Sequence, residues 1–323
     1  MRTTTMAWTG FLAALLALGG CGGTAAPSRG RATDPNAPPA DRTKELAAER
    51  ELADLEAQVA EQRKLPAQER TAAEQRFGGT LERTVAHVAG THVENKALYW
   101  LASWRFTYRD GDGVDDLLDH LNQLKSPAFR NTGKALRVQL RLRQGRVREA
   151  RALAEPLVAQ IPEFKGLLDL IAWHETVGQR APRIASRNLS GGPDDPLGRG
   201  EPWLLYLFVE RVDDNALQRI ARYQQALAAL PNPAMMRLVV VAFDPSPLNA
   251  TATLLNQGQG HGPVPDLMWA NPNANGTSKE WETAWKLPQP LPHSALLGPD
   301  RTIMAVELPP EELMKVAGGG GKK

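Results

Sequence analysis

The sequence predicts an α-helical first domain followed by an α/β second domain, a class of α plus α/β. Two observations carry this. From Thr43 to about Gly178, runs rich in Ala, Leu and charged residues show three- and four-residue apolar spacing and no strand pattern. After Arg180, two short and almost wholly apolar runs, Trp203–Val209 and Met236–Phe243, flank a helical pattern at Asn215–Leu230. A strand, helix, strand series implies parallel pairing through a right-handed crossover.

The chain opens on Met1-Arg2-Thr3, with one early positive charge, and an apolar stretch from Ala7 to Leu18. At about 12 residues and about 1.5 Å of rise each, that stretch falls well short of a hydrocarbon core of about 30 Å, so residues 1–20 read as a signal peptide and not as a span. Leu18-Gly19-Gly20-Cys21 follows. This run resembles the lipobox of bacterial lipoproteins: an apolar residue, two small residues, then the cysteine that is acylated. The resemblance implies that Cys21 becomes the first residue and carries the lipid, palmitate included; an ordinary signal peptide with an incidental cysteine is the alternative. Each buried methylene contributes about 0.8 kcal/mol, so the two or three chains of a processed lipoprotein anchor it stably. The expected localisation is exported and membrane-anchored in the cell envelope. Gly22, where an inner-membrane lipoprotein often carries aspartate, favours an outer membrane facing the periplasm if the cell is Gram-negative.

Composition narrows the function classes. The 323 residues are 42% hydrophobic, enough to bury a core in each of two domains. Lys and Arg total 38 against 36 acids, and a net charge of +2 gives no electrostatic reason to expect nucleic acid as partner. Cys21 is the single cysteine, so within one chain no disulfide and no redox pair can form.

Residues 21–42, beginning with Cys21, are rich in Gly, Ala and Pro without apolar periodicity, the composition of a disordered tether. As a flexible coil of about 20 residues it reaches roughly 25 Å. The helical domain, 43–179, is punctuated at Pro66, Gly90, Gly111-Asp112-Gly113, Gly133 and Gly145, where breaks are expected. In its first run Leu52, Leu55, Val59 and Gln62 form a narrow stripe, as on a surface or edge helix. Ala97, Leu98, Leu101, Ala102 and Phe106 form a broad apolar face, and Leu117, Leu118, Leu121 and Leu124 form its mate, a helical hairpin. Asn131 to Phe164 resembles a tetratricopeptide repeat, with Gly145 at the turn, Ala150 and Ala154 at the close-packing positions and Pro162 after the second helix. A degenerate copy precedes it at about 95–126. A generic array of helical hairpins is the alternative.

The second domain covers 180–318, with 319–323 a flexible basic tail. Trp203–Val209 reads as a strand buried on both faces. Asp213-Asp214 suits a helix start, and the helix carries Leu217, Ile220, Ala221, Tyr223 and Leu227 on one side. Pro290 to Val306 reads as a Pro-led strand, a tight turn at Gly298-Pro299-Asp300-Arg301 and a returning strand; a last helix is expected from Pro310 to Val316.

These residues resemble the thioredoxin-like domain of exported thiol:disulfide oxidoreductases and related peroxidase-like redoxins. Ala181-Pro182-Arg183-Ile184 is similar to the family's opening APDF, Trp203–Val209 and Met236–Asp244 to its central strands, and Leu296–Ile303 to its late hairpin. Pro292 matches the proline before that hairpin, which in the family is cis and helps dock an extended substrate chain; a trans proline in a loop is the alternative. The family's W-C-x-x-C motif follows the first strand, and those places fall near Asp213 and Ala216. Neither can carry a thiolate. A carboxylate at a helix N-terminus makes Asp213 a cap and not a nucleophile.

Other constellations carry less. Counted from Asp110, the fifth, sixth and twelfth positions of a calcium loop would be Val114, Asp115 and Leu121, so the spacing fails. His87 and His92 are five apart with no third ligand in sequence, so no metal site is expected. His261 and His293 lie in loops that border one face of the second domain, although a lone loop histidine is usually solvated. Ser294 beside His293 has no oxyanion loop or acid in sequence. The expected function is a membrane-tethered, non-catalytic interaction or scaffold lipoprotein, without cofactor, whose face at Leu291, Pro292 and His293 takes a protein or peptide partner. The alternative is a thioredoxin-family enzyme or accessory factor in envelope redox or maturation that uses a partner's thiols or a non-thiol chemistry.

Overall fold

The computed structural model describes residues 39–65, 67–109, 111–124, 127–184, 187–189, 203–243, 266–270 and 278–313. Cys21 and the tether up to residue 38, Pro66, Asp110, His261 and the tail lie outside them, whereas Pro39–Arg42, read as the end of the disordered tether, are the first turn of a helix. The chain divides into two compact units, Met1–Leu157 and Val158–Lys323.

The described part of the first unit is helical: α1 (Pro39–Lys64), α2 (Ala67–Arg76), α3 (Gly78–His87), α4 (Glu94–Tyr108), α5 (Val114–Gln123), α6 (Pro127–Arg143) and α7 (Val147–Gln160), the last running past the division. The apolar stripe of α1 is buried: Leu52 and Leu55 pack with Phe77, Leu81 and Trp104, and Ala48 with Val88 and Ala97. Helices α4 and α5 pair through Leu98, Ala102, Phe106, Leu118 and Leu121, and α6 closes over them with Leu136 and Leu140. Gly145 reverses the chain at φ +72°, the left-handed region that glycine enters at no steric cost. Its N–H donates to Leu142 O and that of Arg146 to Arg141 O, closing the end of α6. On α7, Ala150 and Ala154 are fully buried.

Gly133 corrects the sequence reading. It is not a break but lies inside α6, because a β-carbon there would stand 2.6 Å from Leu121 Cδ2 and 3.4 Å from Leu118 Cδ2. The residue is small so that α5 can approach, a use that looks the same in sequence as a helix stop.

The second unit starts earlier than the 179/180 boundary read from sequence. Helix α8 (Gly166–His174) buries Leu167, Leu170, Ile171 and Trp173, and sets Trp173 edge-on to Phe208 at 6.0 Å and beside Trp285 at 6.4 Å. It is therefore part of the second core. The other elements are β1 (Arg187–Asn188), β2 (Trp203–Val209), α9 (Asp214–Ala228), β3 (Met236–Ala242), β4 (Asp266–Trp269), α10 (Ser278–Trp285), β5 (His293–Leu297) and β6 (Ile303–Val306). They form one sheet of order β1-β4-β3-β2-β5-β6. Strands β2, β3 and β4 are parallel, while β5 runs antiparallel to β2, and β6 to β5. This is an α/β domain with a mixed sheet.

Side chains alternate across a strand, so β2 divides the core in two. Leu205, Leu207 and Val209 face α9, where they meet Ile220, Tyr223 and Leu227. Tyr206 and Phe208 face the other way, against Trp173, Trp281 and Trp285. The hairpin turns with Gly298 N–H donating to Thr302 O and with Arg301 at φ +68°. The last helix is shorter than expected within the described residues: a 3-10 turn spans Pro310–Glu312, and residues beyond 313 lie outside the description.

Candidate functional site

In open sheets of this kind, ligands approach the carboxyl ends of the parallel strands, where chain connections leave exposed loops. The carboxyl end of β2 is where the sequence-predicted site residues gather. Asp213 sits just beyond it as the N-cap of α9, and its carboxylate accepts from Ala216 N–H at 2.9 Å. Ala216 itself is buried in the core beneath α9. Pro292 precedes β5, and His293, the first residue of β5, is the register partner of Phe208. The Gln289–Pro290 and Leu291–Pro292 peptide bonds are both cis. Pro292 is exposed and Leu291 half-buried. Arg219 Nη1 donates to Pro292 O at 3.3 Å, which ties α9 to the proline segment.

The Asp213 cap is worth about 1 kcal/mol, since it satisfies an N–H that the helix cannot. Asp213→Ala should therefore destabilise the second unit by about 1 kcal/mol, and Asp213→Asn by less, because the amide oxygen keeps the acceptor. Urea midpoints of the three proteins check this; equal midpoints for wild type and Asp213→Ala would refute it.

His293 has a partner that sequence reading missed. Its Nδ1 lies 2.5 Å from Oε1 of Glu307, which also accepts from the indole N–H of Trp173 at 3.1 Å. Both His293 and Glu307 expose only 13% of their side chains, so this is a buried pair and not the solvated loop histidine that base expectation gives. Burial alone would push the Glu307 carboxyl up. The charge and hydrogen bond of His293, with Arg219 and His174 nearby, outweigh burial and hold it below the usual carboxylate range. His293 Nε2 is buried and has no hydrogen-bond partner among the described residues. Ser294 is buried, and its hydroxyl donates to Leu308 O at 3.3 Å.

Behind this pair stands an aromatic wall. Trp285 is within 5.1 Å of the ring centres of both Tyr206 and Phe208, and Trp281 stacks on it at 6.2 Å. The indole N–H groups of Trp281 and Trp285 are buried without acceptors among the described residues. His87 and His92 are surface groups. His87 meets Glu51, and His92 meets Glu45 and Glu49, all on α1. Among the described residues, no three His, Cys, Asp or Glu side chains converge to hold a metal ion.

No family model matches the chain, and comparison with the curated proteins gives no match. Among solved structures, the thioredoxin domain of a thiol-disulfide oxidoreductase from Bacteroides vulgatus is 15% identical, covering 44% of this chain and 95% of that one at a TM-score of 0.36. A peroxiredoxin-like protein from Aquifex aeolicus is 12% identical over 44% of this chain and 85% of its own, at 0.35. A thioredoxin-like protein from Bacteroides caccae is 12% identical over 76% of this chain and 83% of its own, at 0.37. No helix among the described residues is long and apolar enough to cross a membrane.

Proposed function

We propose that the protein is a membrane-tethered interaction lipoprotein whose thioredoxin-like domain binds without dithiol chemistry. The observation that carries this reading is at the start of α9. Where the resemblance places the attacking sulfur, Asp213 spends its carboxylate on capping the helix, and the partner position, Ala216, is an apolar core residue. The single cysteine, Cys21, is far away in sequence and is assigned here to lipid. In this reading the lipid on Cys21 holds the chain to the membrane, the tetratricopeptide-like hairpins supply one docking surface, and the segment of half-buried Leu291 and exposed Pro292 supplies another. An extended peptide laid there would take main-chain hydrogen bonds and needs no reactive group.

The full chain in detergent should give no insulin reduction above buffer with thiol, and thiol-dependent turnover would remove the non-catalytic reading. A photo-crosslinking side chain at Gln289 should yield one defined protein adduct in envelope membranes. No adduct at that position, beside a productive control, would remove the binding face. Cys21→Ser should shift the protein from the membrane to the soluble fraction, and retention would remove the lipid anchor.

The fold itself favours a second reading, an accessory role in envelope redox or maturation that draws on a partner's thiols. Turnover appearing only when a thiol-bearing partner is added distinguishes it.

A further inference from the structure

Both edges of the sheet in the second unit are covered by short pieces of the same chain. At one edge, beside β6, Gly178 N–H donates to Ile303 O, Gln179 O accepts from Ile303 N–H, and Ala181 N–H donates to Arg301 O. At the other edge, β4 is covered by β1. Its two residues pair as Arg187 with Trp269 and Asn188 with Met268, and Leu189 N–H donates to Leu267 O just beyond them. A pairing this short is marginal by its main-chain bonds alone.

Asp266 supplies what that ladder lacks. It is the first residue of β4 and only 3% exposed. Its Oδ1 accepts from Asn188 Nδ2 at 3.1 Å and from Arg237 Nη2 of β3 at 3.0 Å, and its Oδ2 lies 2.5 Å from Arg237 Nε. A carboxylate taken out of water needs a charged partner, and Arg237 provides it. The bond from the buried Asn188 amide is then charge-assisted and roughly twice as strong as a neutral one. One carboxylate thus ties the edge strand to the two strands inside it.

We infer that Asp266 and Asn188 form a clasp that keeps β1 on the edge of β4, and that β1 so held keeps a second copy of this chain from adding to that edge. The register says why the competitor is a second copy. Along a strand the N–H and C=O of one residue point to the same side, and successive residues point to opposite neighbours. Leu267 O receives Leu189 N–H, whereas Ala270 N–H goes to Ala242 O of β3. Leu267 and Trp269 therefore face β1, and Met268 and Ala270 face β3. With β1 displaced, Leu267 can pair with Trp269 of the second copy, and Trp269 with its Leu267, about a two-fold axis. Those are the same two positions that β1 occupies. Uncovered edges are the route by which sheets associate, and covering them is how proteins prevent it. The clasp belongs to the sheet edge and stands whether or not the Pro292 segment binds a partner.

Residue-resolved hydrogen exchange on the full chain in detergent tests this, with Asn188→Ala beside wild type. In the dilute variant the amides of Leu267 and Trp269 should exchange about tenfold faster or more, the effect of losing one hydrogen bond to a charged group. Those of Met268 and Ala270 should keep their wild-type rates. As the variant is concentrated, Leu267 and Trp269 should regain protection, while wild type stays unchanged. Wild-type rates in the dilute variant, an equal rise at all four amides, or no regained protection on concentration would overturn the inference. Leu189→Pro removes the N–H that donates to Leu267 O and should give the same pattern; it takes the place of Asn188→Ala if that variant does not fold.

Discussion

Trp285→Ala should destabilise the second unit by about 3–5 kcal/mol, the range for truncating a buried large aromatic side chain. Trp285 is fully buried and is the hub of the aromatic wall, with ring centres of Tyr206 and Phe208 at 5.1 Å, Trp281 at 6.2 Å and Trp173 at 6.4 Å. Alanine removes the transfer free energy of the indole and leaves a void that four packed rings cannot easily fill. One term works the other way. Among the described residues the indole N–H has no acceptor, and removing a buried unsatisfied donor recovers about 1–3 kcal/mol. Trp285→Phe separates the two, since it keeps most of the ring and drops the donor. It should cost well under half of the alanine change. Hydrogen exchange of peptides in β2, β3 and β5 gives the opening free energies directly. A loss below about 1 kcal/mol for Trp285→Ala would show that the wall is not a rigid core.

Gly78→Ala should destabilise the first unit by about 2 kcal/mol. A β-carbon at Gly78 would stand 2.2 Å from Cη2 and Cζ2 of Trp104 and 2.6 Å from Cζ3. That ring cannot retreat freely. Trp104 is 8% exposed, its indole N–H donates to Glu74 O at 2.7 Å, and Tyr108 packs on it at 5.7 Å. Overpacking of this kind costs about 1–3 kcal/mol, while alanine in place of helical glycine recovers at most about 1 kcal/mol, less at a helix end such as Gly78. Overpacking wins. Urea unfolding followed at the first unit's helices measures the change, and a variant as stable as wild type would mean that Trp104 moves aside at little cost.

Much of the architecture is legible in the sequence because local physics specifies it. The buried strands Trp203–Val209 and Met236–Ala242 are continuous apolar runs, and Asp213 before an amphipathic stretch marks the start of α9. The hairpin from His293 to Val306 follows from a turn of Gly, Pro, Asp and Arg between apolar runs. The pairing of α4 with α5 follows from two complementary apolar faces. Where the reading fails, one residue type has two uses. Gly133 reads as a stop but is a packing contact, and α8 reads as one more helix of a helical run but belongs with the sheet.

The candidate site is legible only in part. Asp213, Pro292 and His293 stand out in sequence, but the groups that make His293 more than a loop histidine do not. Glu307 is 14 residues from it, and Trp173 is 134 residues from Glu307. No period or motif links them, since strand pairing and helix docking bring them together across the fold.

The sequence by itself determined the single cysteine, the aspartate that caps α9, and the order of strands and helices. Those depend on residue identity and on neighbours three or four positions away. Only the tertiary structure decided which core receives α8, which glycine makes room for a neighbouring helix, and which buried carboxylate meets His293. Those depend on contacts between distant segments, whose strength comes from exclusion of water and close packing, and neither exists until the chain has folded.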